Sequence, residues 1–267
     1  EFRRVLFRSP RFKHVGHTVQ IFDIEHFEEI MRWMYSVHND ISKDVEIVVV
    51  SMTPPSQNGE PRKRVFAVTG VALTDSHAEA EEALAPFQTC PVLDRAIVNE
   101  KHMTSSLALQ RQEQERMNPE HWRYFTDNIW VDGETDEIIE KIEPLFRDLP
   151  EPEAFTIWFS MGPVRELPDM AFSLQSPAYV ATYLVSNIEE NDATNRSWIN
   201  SAMAAAQSVT KGQYLGDSDM GNRQLKFMAD ENYARLQQVI AQRDPENLFV
   251  RYLAKDPATV NQNHWEL

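Results

Sequence analysis

VEIVVVSM (Val45–Met52) and RVFAVTGVAL (Arg64–Leu73) are two runs of β-branched and apolar residues that decide the fold class. Both runs have the length and composition of strands buried in a sheet. The residues between them, Thr53–Lys63, are rich in turn formers and offer no helical crossover, which parallel pairing requires. The two strands are therefore expected to pair in an antiparallel arrangement.

The rest of the chain continues this alternation of strands and amphipathic helices. Further strands are predicted over His17–Phe22, Ala96–Val98, Trp122–Val131, Phe155–Met161 and Tyr179–Ser186. Helices are predicted over Asp23–His38, from Asp75 onward, and over Leu107–Met117, Thr135–Phe146, Asn191–Val209 and Asp230–Gln242. The order predicts an α+β fold, with a mainly antiparallel sheet and helices packed on one face.

Charge and composition exclude several classes of function. The 267 residues carry 26 Lys and Arg against 41 Asp and Glu, a net charge of −15. Nucleic acids and anionic membranes attract clustered cations, so neither is an expected partner. No run approaches the ~18 apolar residues of a membrane helix. Cys90 is the only cysteine, so no internal disulfide can form. We expect the protein to be cytoplasmic.

The motifs of several common active sites are missing from the sequence. Only 8 residues are glycine, and neither a G-x-G-x-x-G nor a G-x-x-x-x-G-K-[ST] pattern occurs, so this chain has no phosphate cradle of those types. No G-x-S-x-G nucleophile turn is present. His14 and His17 are three apart in an extended stretch and would point to opposite faces, so no metal site is expected.

The first nine residues, EFRRVLFRS (Glu1–Ser9), read as a translated sequencing adapter and are excluded from the fold prediction. A natural basic N-terminus is the alternative. On the adapter interpretation the natural protein continues upstream, where a targeting signal would also lie.

The C-terminal part carries a resemblance to a known family. Lys211–Leu253 contains a turn with Tyr214, a polar loop, a capped helix and the sequence Asp-Pro-Glu-Asn-Leu-Phe (Asp244–Phe249). This order resembles the berberine-bridge-enzyme-like segment at the end of FAD-linked oxidases. Gly70–Phe87 and Met161–Phe172 resemble two more central stretches of the same family.

The resemblance implies a two-domain flavoenzyme of which this chain is the second part. An N-terminal FAD domain would lie upstream and be the partner of this chain, whose antiparallel sheet would cover the flavin ring. Residues 10–210 would form the substrate-binding domain, 211–255 the segment that returns to the FAD domain, and 256–267 a tail. The implied reaction is oxidation of a small-molecule C–H bond by hydride transfer to flavin N5, and the fragment alone is expected to be inactive.

The resemblance also suggests cofactor-contacting residues. Tyr214 is the candidate catalytic group, acting as a base or as a wall beside the flavin; an ordinary core position is the third alternative. Gly216 stands where the family has Asn, so only its backbone could contact the flavin. Asn247 and Arg251 are candidates for contact with the cofactor or the FAD domain, with loop capping and surface solvation as alternatives.

Substrate-contacting candidates come from a strand and a loop. On the strand Tyr124–Trp130, Thr126 and Asn128 share one face. They would contact substrate if that face looks toward the flavin, and would not if it meets the helices. Gln175 is a further candidate.

A different class of function remains open at this stage. The chain could be a non-enzymatic α+β binding or dimerisation domain whose Asp244–Phe249 sequence is coincidental. If the chain is instead the second part of a flavoenzyme, the face that meets the FAD domain should expose an apolar patch larger than a few hundred Å².

Overall fold

The structure, a computed structural model, describes residues 12–55, 62–162, 166, 168–246 and 248–249. The strands there are β1 (His14–Asp23), β2 (Val45–Met52), β3 (Val65–Thr74), β4 (Val98–Thr104), β5 (Arg123–Val131), β6 (Phe155–Ser160), β7 (Ala178–Ser186) and β8 (Thr210–Gly212). The α-helices are α1 (Phe27–Val37), α2 (His77–Leu84), α3 (Leu107–Met117), α4 (Thr135–Arg147), α5 (Asp192–Ala205) and α6 (Asp230–Arg243). None of the helices so described is both long and apolar enough to cross a membrane.

The strands form one sheet in the order β4-β1-β3-β2-β6-β7-β5-β8, and each pairing is antiparallel. β2 pairs with β3 over its full predicted length, from Val45 opposite Ala72 to Met52 opposite Val65. The predicted α+β fold with an antiparallel sheet and helices on one face is therefore confirmed.

The hydrophobic core lies between the sheet and helices α1, α2, α4 and α5. Phe66 and Trp158 point from the sheet into this layer, where they are fully buried. Phe27 from α1 packs 5.2 Å, ring centre to ring centre, from both Phe66 and Phe146. Each such side chain contributes about 1.5–3 kcal/mol on burial, so this layer carries most of the folding free energy.

The opposite face of the sheet has no such helical layer, and we call its central part the open face. Side chains alternate along a strand, so every second residue of β2, β6, β7 and β5 belongs to it. Its members are Val48, Val50, Phe155, Ile157, Phe159, Tyr179, Ala181, Tyr183, Thr126, Asn128 and Trp130. Residues 169–176 and 213–218 lie at the β5 end of this face and cover part of it.

Several elements differ from the sequence prediction, among them β8, which no predicted strand covers, and α5, which ends at Ala205 and not at Val209. The strand expected over Ala96–Val98 is instead β4, a longer edge strand whose polar sequence VNEKHMT hides it from a hydrophobicity pattern. In α6 the apolar side chains of Leu236 and Val239 remain 37% and 47% exposed. α6 also begins after Ala229, so Asp230 lies in its first turn and is not the N-cap.

His38 is a titratable group inside the helix-covered layer. It is 3% exposed and packs against the rings of Tyr35 and Trp158. Its Nδ1 lies 2.9 Å from Oγ of Ser160. Burial disfavours the charged imidazolium and lowers the pKa of His38 from 6.5 to about 4.

We predict that His38 makes the protein less stable in mild acid. The unfolded chain takes up the proton below pH 6.5 and the folded chain only near pH 4, so stability is lost as pH falls between these values. The loss between pH 7 and pH 5 should be about 2 kcal/mol of unfolding free energy. Urea unfolding of His38→Gln should lack this contribution, whereas exposed His121→Gln should retain it. Equal pH dependence in the two variants would contradict the prediction.

Candidate functional site

Tyr214 lies at the β5 end of the open face. β8 ends at Gly212, so Tyr214 follows the strand and is not part of it. Its side chain is 41% exposed, which excludes the core alternative. Edge-on contacts to Phe172 and Tyr179, at 5.9 and 6.2 Å between ring centres, orient the ring of Tyr214. Tyr214 is therefore a surface aromatic held by other aromatics.

A carboxylate lies beside this ring. The hydroxyl of Tyr179 donates to Oδ2 of Asp217 at 2.7 Å. Tyr183 stands two positions further along the same face of β7, with the small Ala181 between the two rings. Asp217 also acts electrostatically on Tyr183. We call Tyr179, Tyr183, Tyr214 and Asp217 the tyrosine–aspartate cluster.

The electrostatics of this cluster fix the direction of its hydrogen bonds. Burial, and then the neighbouring Asp217, raises the pKa of Tyr179 well above its usual value of 10. The same causes raise the pKa of Tyr183. Both phenols are therefore protonated at neutral pH, and Tyr179 donates a hydrogen bond to the Asp217 carboxylate. The carboxylate is thus held as a hydrogen-bond acceptor on a largely aromatic surface.

The surroundings of the cluster are apolar and partly exposed. Met170 and Phe172 are 37% and 44% exposed. Trp130 packs beneath them, 5.0 Å from Tyr179 and 6.0 Å from Phe172 between ring centres. A flat aromatic ring system fits such a surface by stacking and edge contacts. A flavin has a ring system of this kind, whereas the sequence holds no glycine-rich cradle for its pyrophosphate.

Thr126 and Asn128 lie on the open face and point away from the helices, which excludes the alternative that this face of the strand meets the helices. Thr126 is half-buried opposite Tyr183. Asn128 is fully buried, so the expectation that it contacts substrate is wrong. Its amide oxygen and nitrogen are both hydrogen-bonded to the backbone of Tyr214, so they face the protein and not a substrate.

The remaining sequence candidates are placed as follows. Gly216 lies against the ring of Tyr214, because a Cβ atom there would come within 2.5 Å of the ring. Gln175 is half-buried just before β7 and makes contacts within the protein. Asn247 and Arg251 lie outside the described residues.

Sequence reasoning missed Asp217 and Tyr179. The hydrogen bond between them joins residues 38 apart, and Tyr179 reads as an ordinary residue of an apolar strand. The available signal was the alternation of Tyr179, Ala181 and Tyr183, which puts two hydroxyls on one face with a small residue between. Among the described residues, no group of three or more His, Cys, Asp or Glu could hold a metal ion.

We predict that two glycine substitutions next to the cluster lower the free energy of unfolding by different amounts. In Gly216→Ala the new Cβ meets the mobile end of the Tyr214 side chain, so the ring should swing away and the free energy of unfolding change by less than about 1 kcal/mol. In Gly212→Ala the Cβ comes within 2.3 Å of the backbone oxygen of Lys226, which cannot swing. This variant should lose about 2–3 kcal/mol. Urea unfolding measures both values, and a reversed order would contradict the packing described.

Comparison with known proteins gives relatives of one kind. No family model matches the chain. The FAD-linked oxidoreductase janO of Penicillium janthinellum is 26% identical over 241 residues, which are 89% of this chain and 52% of that protein. The FAD-linked oxidoreductase nodO of Hypoxylon pulicicidum is 25% identical over 224 residues. The chain therefore spans about half the length of the curated relatives it matches.

Solved structures agree at the level of the fold. A variant of BBE-like 1 from Physcomitrella patens matches 90% of this chain with a TM-score of 0.69 and 13% identity, over 53% of its own length. Berberine bridge enzyme from Eschscholzia californica matches 90% of this chain with a TM-score of 0.66 and 12% identity, over 54% of its length. The resemblance seen in the sequence is confirmed: the chain is a relative of FAD-linked oxidoreductases and has the fold of the matching half of berberine bridge enzyme-like proteins.

Proposed function

We propose that this chain forms the substrate side of an FAD-dependent oxidoreductase, and that Asp217 is its proton acceptor. The observation that carries the proposal is the hydrogen bond from Tyr179 to Asp217 on a partly exposed aromatic face. The names of the relatives support the flavin and the class of reaction. A non-enzymatic binding domain would have no need of a carboxylate held by a buried tyrosine hydroxyl.

The partner in this proposal is a domain that holds FAD against the open face. Tyr214 and Phe172 are the exposed aromatics that would contact the flavin ring, and Met170 would lie at its edge. FAD, when bound, supplies the acceptor for the hydride removed from the substrate C–H bond. The pyrophosphate would be held by the partner domain.

Asp217 handles the proton that is coupled to this oxidation. A C–H bond next to a hydroxyl or amine loses its hydride more readily when the O–H or N–H proton leaves at the same time. The Asp217 carboxylate takes this proton, and the products are the oxidised substrate and the neutral acid. Tyr179 keeps its own proton throughout and holds Asp217 in place with its hydroxyl.

Tyr214 has a different part in the proposal. Its ring stands edge-on to Phe172 and Tyr179 and is exposed on the side that a cofactor or substrate would approach. We assign it the role of a wall that excludes water and limits where the substrate can lie. Thr126 and Gln175 remain the proposed substrate contacts.

We predict that Asp217→Asn slows flavin reduction far more than Tyr214→Phe. Loss of a general base costs about 10²–10⁴-fold, so Asp217→Asn should lose at least about 100-fold. Tyr214→Phe keeps the ring and should lose less than about tenfold. The measurement is anaerobic stopped-flow bleaching of flavin in the full-length protein, with the fastest-reducing member of a panel of alcohols and amines. A larger loss in Tyr214→Phe would transfer the base role to Tyr214.

A second prediction concerns the cofactor. The protein expressed from its full reading frame should be purified yellow, with flavin absorption bands, whereas the 267-residue chain should be colourless and without turnover. Absorption spectra and acid release of FAD measure this. A folded, colourless full-length protein that stays colourless with added FAD would contradict the proposal.

A further inference from the structure

The segment that carries Tyr214 and Asp217 runs past the end of its strand. β8 has three residues, and its pairing with β5 ends where Trp130 lies opposite Gly212. Beyond Gly212 the chain has left the ladder of backbone hydrogen bonds that would fix its path. Some other contact must hold the next residues, because an unpaired backbone group in a half-buried turn is costly.

The side chain of Asn128 supplies this contact. Its Oδ1 accepts the backbone N–H of Tyr214 at 2.7 Å, and its Nδ2 donates to the backbone oxygen of Tyr214 at 2.9 Å. Nδ2 also donates to Oγ of Ser218 at 2.8 Å. A primary amide has the same donor and acceptor pair as a peptide group. Asn128 thus makes the two bonds that a further residue of a paired strand would make.

The Asn128 contacts bracket the functional turn. Tyr214 is bonded at its start and Ser218 at its end, and Asp217 lies between them. Oγ of Ser218 donates back to the Tyr214 carbonyl at 2.5 Å, which closes the turn on itself. One amide therefore bonds both ends of the turn that carries the Tyr214 ring and the Asp217 carboxylate.

The turn has a second attachment to the same strand. Arg223 forms a two-pronged ion pair with Asp127, which is 3% exposed, and donates to the backbone oxygen of Asn128 at 3.0 Å. This contact secures the later part of the segment and lies on the other side of β5. The backbone of Tyr214 is bonded instead by the Asn128 side chain.

We propose that Asn128 is a positioning residue, whose amide continues the sheet in place of the missing strand and sets the Tyr214–Ser218 turn. Its effect on catalysis rests on the function proposed above; its effect on the turn does not. Both polar atoms of the Asn128 side chain bond the turn and the residue is fully buried, which separates this role from direct substrate contact.

Hydrogen exchange in the full-length, FAD-loaded protein tests the structural part. Asn128→Leu has nearly the same shape as Asn but makes no hydrogen bonds, so amide exchange in a peptide covering 213–219 should rise at least about tenfold. Thr156→Val is the matched control, because it removes a buried side-chain hydrogen bond to Leu145 on the helix-covered face. This control should change exchange in 213–219 by less than about twofold. Unchanged exchange in Asn128→Leu would overturn the proposal.

A milder variant covers the possibility that Asn128→Leu fails to fold. Ser218→Ala removes one partner of the Asn128 amide from a half-buried turn, and should raise exchange in 213–219 about threefold or more. No rise in that folded variant would also overturn the proposal.

Kinetic coupling tests the catalytic part. Asn128→Leu should lower the rate constant of flavin reduction at saturating substrate about tenfold, with a smaller change in KM. In the Asp217→Asn background it should lower that rate constant no further, because it acts through Asp217. Additive losses would show that Asn128 does not act through Asp217. If exchange rises but Asp217→Asn leaves the rate unchanged, the positioning role stands and the proposed function fails.

Discussion

Side chains alternate across an antiparallel strand, and in this chain the helices α1, α2, α4 and α5 form a layer over only one of the two resulting faces. The covered face holds a dense aromatic and aliphatic core, with Trp158 and Phe66 fully buried. The open face holds a different set, in which tyrosines and tryptophan stand beside Asn128 and Thr126. A sheet that offers aromatic rings and a carboxylate on its uncovered side is suited to closing over a flat ligand held from elsewhere.

The C-terminal segment turns this surface into a site. It adds the short strand β8 at the edge of the sheet beside β5. The residues after β8 place Tyr214 and Asp217 on the open face. Two adjacent residues of β5 secure it, Asp127 through Arg223 and Asn128 through the backbone of Tyr214. Since strand neighbours point to opposite faces, the segment is held from both sides of the sheet edge. The proposed proton acceptor thus belongs to a loop, but to one that is anchored at several points.

Local patterns in the sequence predicted most of the fold. β2 and α3 have the bounds expected, because a β-branched run and a capped polar helix are both local signals. The bounds of the edge strand β4 are not predictable in this way, because β4 is a strand through its pairing with β1 and not through its composition. Leu236 and Val239 of α6 are exposed, since the period of a helix does not show whether a partner covers its apolar residues.

The site was predicted only where alternation along one strand sufficed. That alternation brought Thr126 and Asn128 to the same face, and the family resemblance pointed to Tyr214. The role of Asn128 and the pairing of Tyr179 with Asp217 depend on how the C-terminal segment crosses the sheet. Contacts between residues 86 and 38 positions apart leave no periodic trace in a sequence.

The most direct measurement is a crystal structure of the full-length protein with FAD bound. The account predicts that the flavin ring lies over the open face, with its nearest atoms within about 4 Å of the Tyr214 or Phe172 side chain. The Asp217 carboxylate should face the space between that ring and the sheet. A flavin bound away from the open face, or an Asp217 turned from the ring and closed off from it, would contradict the account.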